Sequence, residues 1–145
     1  MPNLMRLLHV LSMATWLAAS LWVAGDARRS LAAGPEEARA FVARARAALK
    51  LDRLAGAFTI VTGLSLLHFA QAWPPRAGLW LGFGLAVIRS GLTDAVLSPA
   101  LRSIAAGLEA GQPPAALAPA AQRLAATSMA GHAAWLGALM GIILL

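Results

Sequence analysis

The sequence predicts an all-α polytopic membrane protein: an antiparallel four-helix transmembrane bundle with both termini outside. Three observations carry this expectation. Hydrophobic residues make up 59% of the 145 and charged residues only 12%, whereas a soluble domain carries roughly a quarter charged. Four apolar runs, at about 4–24, 54–73, 78–101 and 124–145, each reach the ~20 residues that a hydrocarbon layer of about 30 Å requires. The cations are gathered in two of the three connections between those runs.

The first run, LMRLLHVLSMATWLAASLWVA, is too long for the apolar stretch of a cleaved signal and is followed closely by Arg28 and Arg29, so it is expected to stay as a span. The connection from Asp26 to Arg53 is long and charged. Pro35 with Glu36 and Glu37 reads as a helix start, because proline suits the first turn and acids suit the positive end of the helix dipole. An amphipathic cytoplasmic segment over 35–53 is expected to lead into the second span. Pro74-Pro75 marks a tight turn before the third run. The stretch 103–121, rich in proline, alanine and glycine, is expected to be a loop. No repeat and no second domain is evident, so a single domain over 1–145 is expected.

Orientation follows from charge. Arg28, Arg29, Arg39, Arg44, Arg46, Lys50, Arg53, Arg102 and Arg123 lie in the first and third connections, against Arg6 and Arg76 on the opposite side. Positive loops stay inside, which points to a multi-pass protein of a bacterial inner membrane. The surplus of six positive charges is thereby a topology signal, and nucleic acid is not expected as a partner. The bilayer is, with a homodimer or a larger membrane complex as further possibilities. There is no cysteine, so disulfides, zinc-thiolate sites and Cys-ligated iron–sulfur clusters are excluded. No phosphate-binding glycine loop, GxSxG elbow or HExxH is present.

Ionisable groups inside a bilayer default to a functional reading. All three histidines fall inside apolar runs. Counted from the outer ends of their helices, His9 and His68 lie at nearly the same depth, about 8–10 Å below the surface by helix rise, and His132 lies deeper, about 20 Å down. Two level imidazoles on adjacent helices suit the axial positions of haem b. Gly63, Gly82 and Gly84 would let a flat ring approach, Thr62 and Ser65 would orient the His68 imidazole, Arg76 would meet propionates, and Trp16, two turns after His9, would stack near the ring. Copper is the rival. Met5, His9 and Met13 share one helix face, with Met140 at similar depth, and thioether and imidazole ligands suit Cu(I); His132 is a less favoured metal ligand. Packing alone is the commoner reason for a methionine stripe at helical spacing.

In the third run, Arg89 and Asp94 are expected to form an intramembrane ion pair, with Asp26 or Arg53 as further partners, while Asp52 is expected to be interfacial. Trp73 and Trp80 read as outer anchors and Trp22 as an inner one. Trp135 and Trp16 are deeper. Gly78-xxx-Gly82 and Gly137-xxx-Gly141 are close-packing signals.

The order of these motifs resembles a family. Leu7-Leu8-His9-Val10-Leu11 followed by Thr15-Trp16-Leu17-Ala18-Ala19, then an Arg-rich connection, Thr62-Gly63-Leu64, Trp80, and Leu97-Ser98-Pro99-Ala100-Leu101-Arg102, are similar to small four-helix bacterial membrane proteins. These are the copper-resistance D-type domain, a family of predicted integral membrane proteins and, more distantly, HemJ-type protoporphyrinogen oxidases. The resemblance spans nearly the whole chain. Ala18-Ala19 stands where the family carries a glycine pair, and Ala24-Gly25-Asp26-Ala27-Arg28 replaces the Leu-Pro-Arg of the HemJ type. The resemblance implies haem binding at His9. Taken together, a bis-His haem protein for electron transfer, a copper-handling protein, a HemJ-like oxidase, and a cofactor-free accessory subunit are the functions this sequence admits, in that order.

Overall fold

The computed structural model describes residues 2–69 and 77–144, and its regular structure is entirely helical. Helix α1 spans Pro2–Ala33, α2 Pro35–Phe69, α3 Ala77–Leu92, α4 Ser98–Glu109 and α5 Ala118–Leu144. A π turn, Thr93–Leu97, joins α3 to α4 without a break, and a short 3-10 helix, Pro114–Leu117, precedes α5. The chain is therefore four long rods. Trp73, Pro74, Pro75 and Arg76 lie outside the described residues.

Local chemistry sets the corners. Gly34 has φ 119°, a backbone conformation that a Cβ disfavours, and it reverses the chain between α1 and α2. Pro35 then opens α2, with Glu36 and Glu37 in the first turn. The loop expected over 103–121 is mostly helix instead, because α4 runs to Glu109 and α5 begins at Ala118. The physical reason is an apolar stripe: Leu101, Ile104, Ala105 and Leu108 are buried at helical spacing. Gly111, at φ 73°, ends α4. The Gln112 N–H donates to the Gly107 carbonyl at 2.9 Å and that of Gly111 to Leu108 at 3.2 Å, the two bonds of a Schellman stop.

The π turn precedes Pro99, which lacks an N–H and crowds the carbonyl four residues back. Widening the helix there accommodates the ring. The Ser98 N–H bonds the Thr93 carbonyl across the wide turn, and its hydroxyl donates to the same carbonyl at 2.9 Å.

Helix α1 packs along α2 and against α5, and α3 packs on α5, while α2 and α3 touch little. The apolar residues divide the bundle lengthwise. One end is a core built like that of a soluble protein, with Phe41, Ile104 and Leu124 fully buried among Val23, Ala27 and Leu101. Around it the surface is polar and Arg-rich; we call this end the cap. The exposed large apolar residues all fall at the other end, from Leu4 to Trp22 on α1, Leu51 to Phe69 on α2, Trp80 to Ile88 on α3 and Met129 to Met140 on α5. They form a belt about 27 Å tall by helix rise on α1 and α2. Gly78 and Gly82 are buried within the bundle, whereas Gly137 is on its surface.

Among the described residues, two helices are long and apolar enough to cross a membrane, Asn3–Ala33 and Gly78–Glu109. Only 24% and 33% of their most apolar windows are buried.

The cap core makes a direct prediction. Phe41→Ala leaves a cavity where a fully buried ring stood and is expected to cost about 3–5 kcal/mol. Denaturant unfolding of the detergent-solubilised protein measures it; a cost under about 1 kcal/mol would mean that the cap is not packed as described.

Candidate functional site

The polar residues of α2 at 52, 59 and 62 fall on one buried stripe, and two sites are built along it. The first is a cavity. Because α2 and α3 touch little in the belt, a space of ≈ 370 Å³ remains between the helices. His9 and Met13 of α1, Gly63 of α2, Gly82 and Phe83 of α3 and Trp135 of α5 line it, and it reaches the surface at Leu64. Its wall is almost wholly apolar apart from the His9 imidazole and the Thr59 side chain.

His9 is held by hydroxyls. Its Nδ1 lies 2.9 Å from Thr62 Oγ1. The Thr62 hydroxyl gives its single proton to the Phe58 carbonyl at 2.6 Å, so toward His9 it acts as acceptor and the Nδ1–H donates. In the neutral ring that leaves Nε2 as a bare lone pair. Below, Thr59 Oγ1 donates to Ser12 Oγ at 3.1 Å and Ser12 donates to the His9 carbonyl at 2.8 Å. The ring also abuts Gly63, where an added Cβ would stand 3.1 Å from His9 Cε1.

The expected pairing of His9 with His68 is not what the helices build. His68 is exposed and does not line the cavity; its ring meets the edge of Phe69 at 5.5 Å. His9 stands level with Thr62 and Gly63, and His68 is a further five residues along α2, about 8 Å by rise. Thr62, expected to orient His68, orients His9. Ser65 donates to the Val61 carbonyl. Arg76 lies outside the described residues.

His132 is buried, with Nδ1 2.6 Å from the Ser128 carbonyl and Nε2 3.1 Å from that of Leu17. Both ring nitrogens face backbone carbonyls, of which a neutral ring can donate to only one, and the ring does not line the cavity. Met5 is half-buried and Met140 exposed; of the methionine stripe, Met13 alone joins His9 at the cavity. Among the described residues, no three His, Cys, Asp or Glu side chains converge as a metal-holding group.

The second site is a charged network beneath the cavity. Arg89 Nη2 pairs with Asp52 Oδ1 at 2.9 Å, their side chains 5% and 1% exposed, and donates to the Trp16 carbonyl at 3.1 Å. Thr93, set by the π turn, donates to Asp52 Oδ2 at 2.8 Å. The Arg89 guanidinium carbon lies 4.2 Å from the centroid of the Trp16 ring, and Trp16 packs on Trp135 at 4.8 Å. Asp94 is instead exposed and pairs with Arg53 Nε at 2.6 Å, while Arg53 Nη2 donates to Ser98 at 2.8 Å.

The expected Arg89–Asp94 ion pair is thus replaced by two pairs. Arg89 takes Asp52, the residue read as interfacial, because Asp52 shares the inward stripe of α2 while Arg53 beside it points out. Asp26 pairs with Arg44 at 2.9 Å. Trp16 does not line the cavity; it is fully buried between Trp135, Arg89 and the backbone at Gly56.

No family model, curated protein or solved structure matches this chain.

Proposed function

We propose that this chain is a four-span protein of a bacterial inner membrane, both termini outside, that binds haem b through His9 in the cavity and serves a redox role. The belt of exposed apolar side chains on α1, α2, α3 and α5 supports four spans, its height being close to the ~30 Å of a hydrocarbon core. The Arg-rich cap at the other end supports a cytoplasmic placement.

The observation that carries the haem reading is the contact of His9 Nδ1 with Thr62 Oγ1 at 2.9 Å. A ligating histidine donates its second ring N–H to an oxygen that sets its orientation, and Thr62 takes that part here. The lining suits a flat macrocycle: Gly82 keeps a side chain off the wall, Phe83 and Trp135 supply apolar faces, and Gly63 makes room for the His9 ring. When bound, haem would supply one-electron chemistry. No second imidazole lines the cavity, so the proposal is ligation by one histidine rather than two. Copper held by His9 and Met13 is a second reading, favoured by Met13 lining the same space.

The test is an optical spectrum of the detergent-purified protein loaded with haem. A b-type spectrum is expected, lost in His9→Ala and kept in His68→Ala. Retention in His9→Ala, or loss only in His68→Ala, would overturn the assignment. A colourless protein that keeps copper on metal analysis, and releases it in Met13→Leu, would establish the second reading in its place.

A further inference from the structure

The inner edge of the belt holds a groove of ≈ 420 Å³ between α1 and α2, lined by Leu21, Trp22, Gly25, Asp26, Arg29 and Arg44. Its two ends differ in chemistry. Leu21 and Trp22 are 56% and 39% exposed and are the last exposed large apolar residues of α1 before the cap. Arg29 stands two turns further along the same helix, about 10 Å by rise. Gly25 lies midway on that face, and an added Cβ there would have no atom within 4 Å. The groove thus runs from an apolar mouth at the membrane edge to a cationic end in the cap.

The charges in the groove are arranged unequally. Arg44 is already held, at 2.9 Å from Asp26 Oδ2 and 2.7 Å from Glu37 Oε1. Asp26 spends its other oxygen on the Ser30 hydroxyl at 3.3 Å, so its carboxylate is engaged on both sides. Arg29 is exposed and makes no hydrogen bond or ion pair among the described residues. A planar guanidinium with all its donors available is suited to a phosphate oxygen pair, and Arg44, its charge paired with two carboxylates, leaves Arg29 as the unpaired cation lining the groove among the described residues.

We propose that this groove is the binding site of one anionic phospholipid of the inner leaflet, its phosphate on Arg29 beside Arg44, its glycerol backbone over Gly25 and its acyl chains descending past Leu21 and Trp22. Tryptophan at the headgroup level and arginine just beyond it match the order of chemistry along such a lipid. The apolar mouth selects a lipid over a soluble phosphate, and the unengaged Arg29 selects an anionic headgroup over a zwitterionic one.

The experiment uses the full chain in mild detergent, reading bound lipid by native mass spectrometry and unfolding temperature on addition of phosphatidylglycerol, phosphatidylcholine or inorganic phosphate. Phosphatidylglycerol is expected to remain bound and to raise the unfolding temperature, with phosphatidylcholine and phosphate giving little. Arg29→Gln is expected to weaken retention about fivefold, the effect of one surface cation against an anionic lipid. Gly25→Leu is expected to abolish retention by filling the groove. Arg102→Gln, which removes an exposed cap cation outside the groove, is the control and leaves retention unchanged. Equal protection by phosphatidylcholine, protection by inorganic phosphate, or equal losses in Arg29→Gln and Arg102→Gln would each overturn the proposal. The site rests on the membrane placement proposed above but makes no use of His9 or its cavity, so failure of the haem reading leaves it standing, and the reverse also holds.

Discussion

Asp52→Leu is expected to destabilise the bundle by about 3–5 kcal/mol, because it leaves the Arg89 guanidinium charged, buried and without its counter-ion. Asp52 is 1% exposed and receives both Arg89 and Thr93, so two donors lose their acceptor at once. Arg89→Met is expected to cost a similar amount for the mirror reason. The pair removed together, Asp52→Leu with Arg89→Met, is expected to recover most of the loss, since a buried ion pair replaced by packed apolar side chains is commonly neutral or better. Unfolding of the four proteins, wild type included, closes the cycle and isolates the coupling. Additive losses in the double variant would show that the two charges do not compensate one another. The cation–π contact with Trp16 adds a second readout, because moving Arg89 off the ring changes the indole emission.

Gly56→Val is expected to be destabilising. An added Cβ at Gly56 would stand 2.8 Å from Trp16 Cε2 and 2.9 Å from Cζ2, and the ring cannot retreat, being enclosed by Trp135 and Arg89. Overpacking of this kind costs about 1–3 kcal/mol, which outweighs the gain of up to ~1 kcal/mol from taking glycine out of a helix interior. Gly25→Ala supplies the contrast. With nothing within 4 Å of the new methyl, only the propensity gain remains, so that variant is expected to be stabilised by up to about 1 kcal/mol. Parallel thermal melts compare the two, and equal behaviour would mean that Trp16 is not seated against α2.

The four rods were legible from the apolar runs, and the α2 start was legible from Pro35, Glu36 and Glu37. The cap was not, because a helix sized to a hydrocarbon layer stops after about 20 residues, whereas α1 and α4 run on beyond the belt around a core of their own. The signal was present: Leu97, Leu101, Ile104 and Leu108 recur at i, i+4, i+7 and i+11, an amphipathic stripe hidden in an alanine-rich stretch.

The sequence placed His9 and His68 level with each other, whereas the structure sets His9 at the cavity and leaves His68 exposed. Counting residues from the end of a run yields depth only if both runs meet the surface at the same plane, and it carries no information on rotation about the helix axis. Rotation was nonetheless written in α2. Asp52, Thr59 and Thr62 are polar residues at helical spacing in an otherwise apolar run, and such a stripe turns inward where oxygen partners exist. That phase puts Asp52 beneath Arg89, sets Thr62 against His9, and leaves His68 outside with Val61 and Leu64. The proximity of Arg53 masked Asp52, since two adjacent opposite charges suggest one shared interfacial role when in fact consecutive helical residues diverge by about 100°.

The π turn at Thr93–Leu97 adds one residue to a helical repeat, and one residue is worth about 100° of azimuth. The rod that contains it therefore serves two clients with incompatible phases: upstream it aims Arg89 at a salt bridge in the belt half, and downstream it aims Leu101, Ile104 and Leu108 at the cap core. A straight α-helix of this sequence would satisfy one half and point the other the wrong way. The wide turn is in that sense a mechanical key, cut to let a single rod mesh with two differently timed sets of teeth.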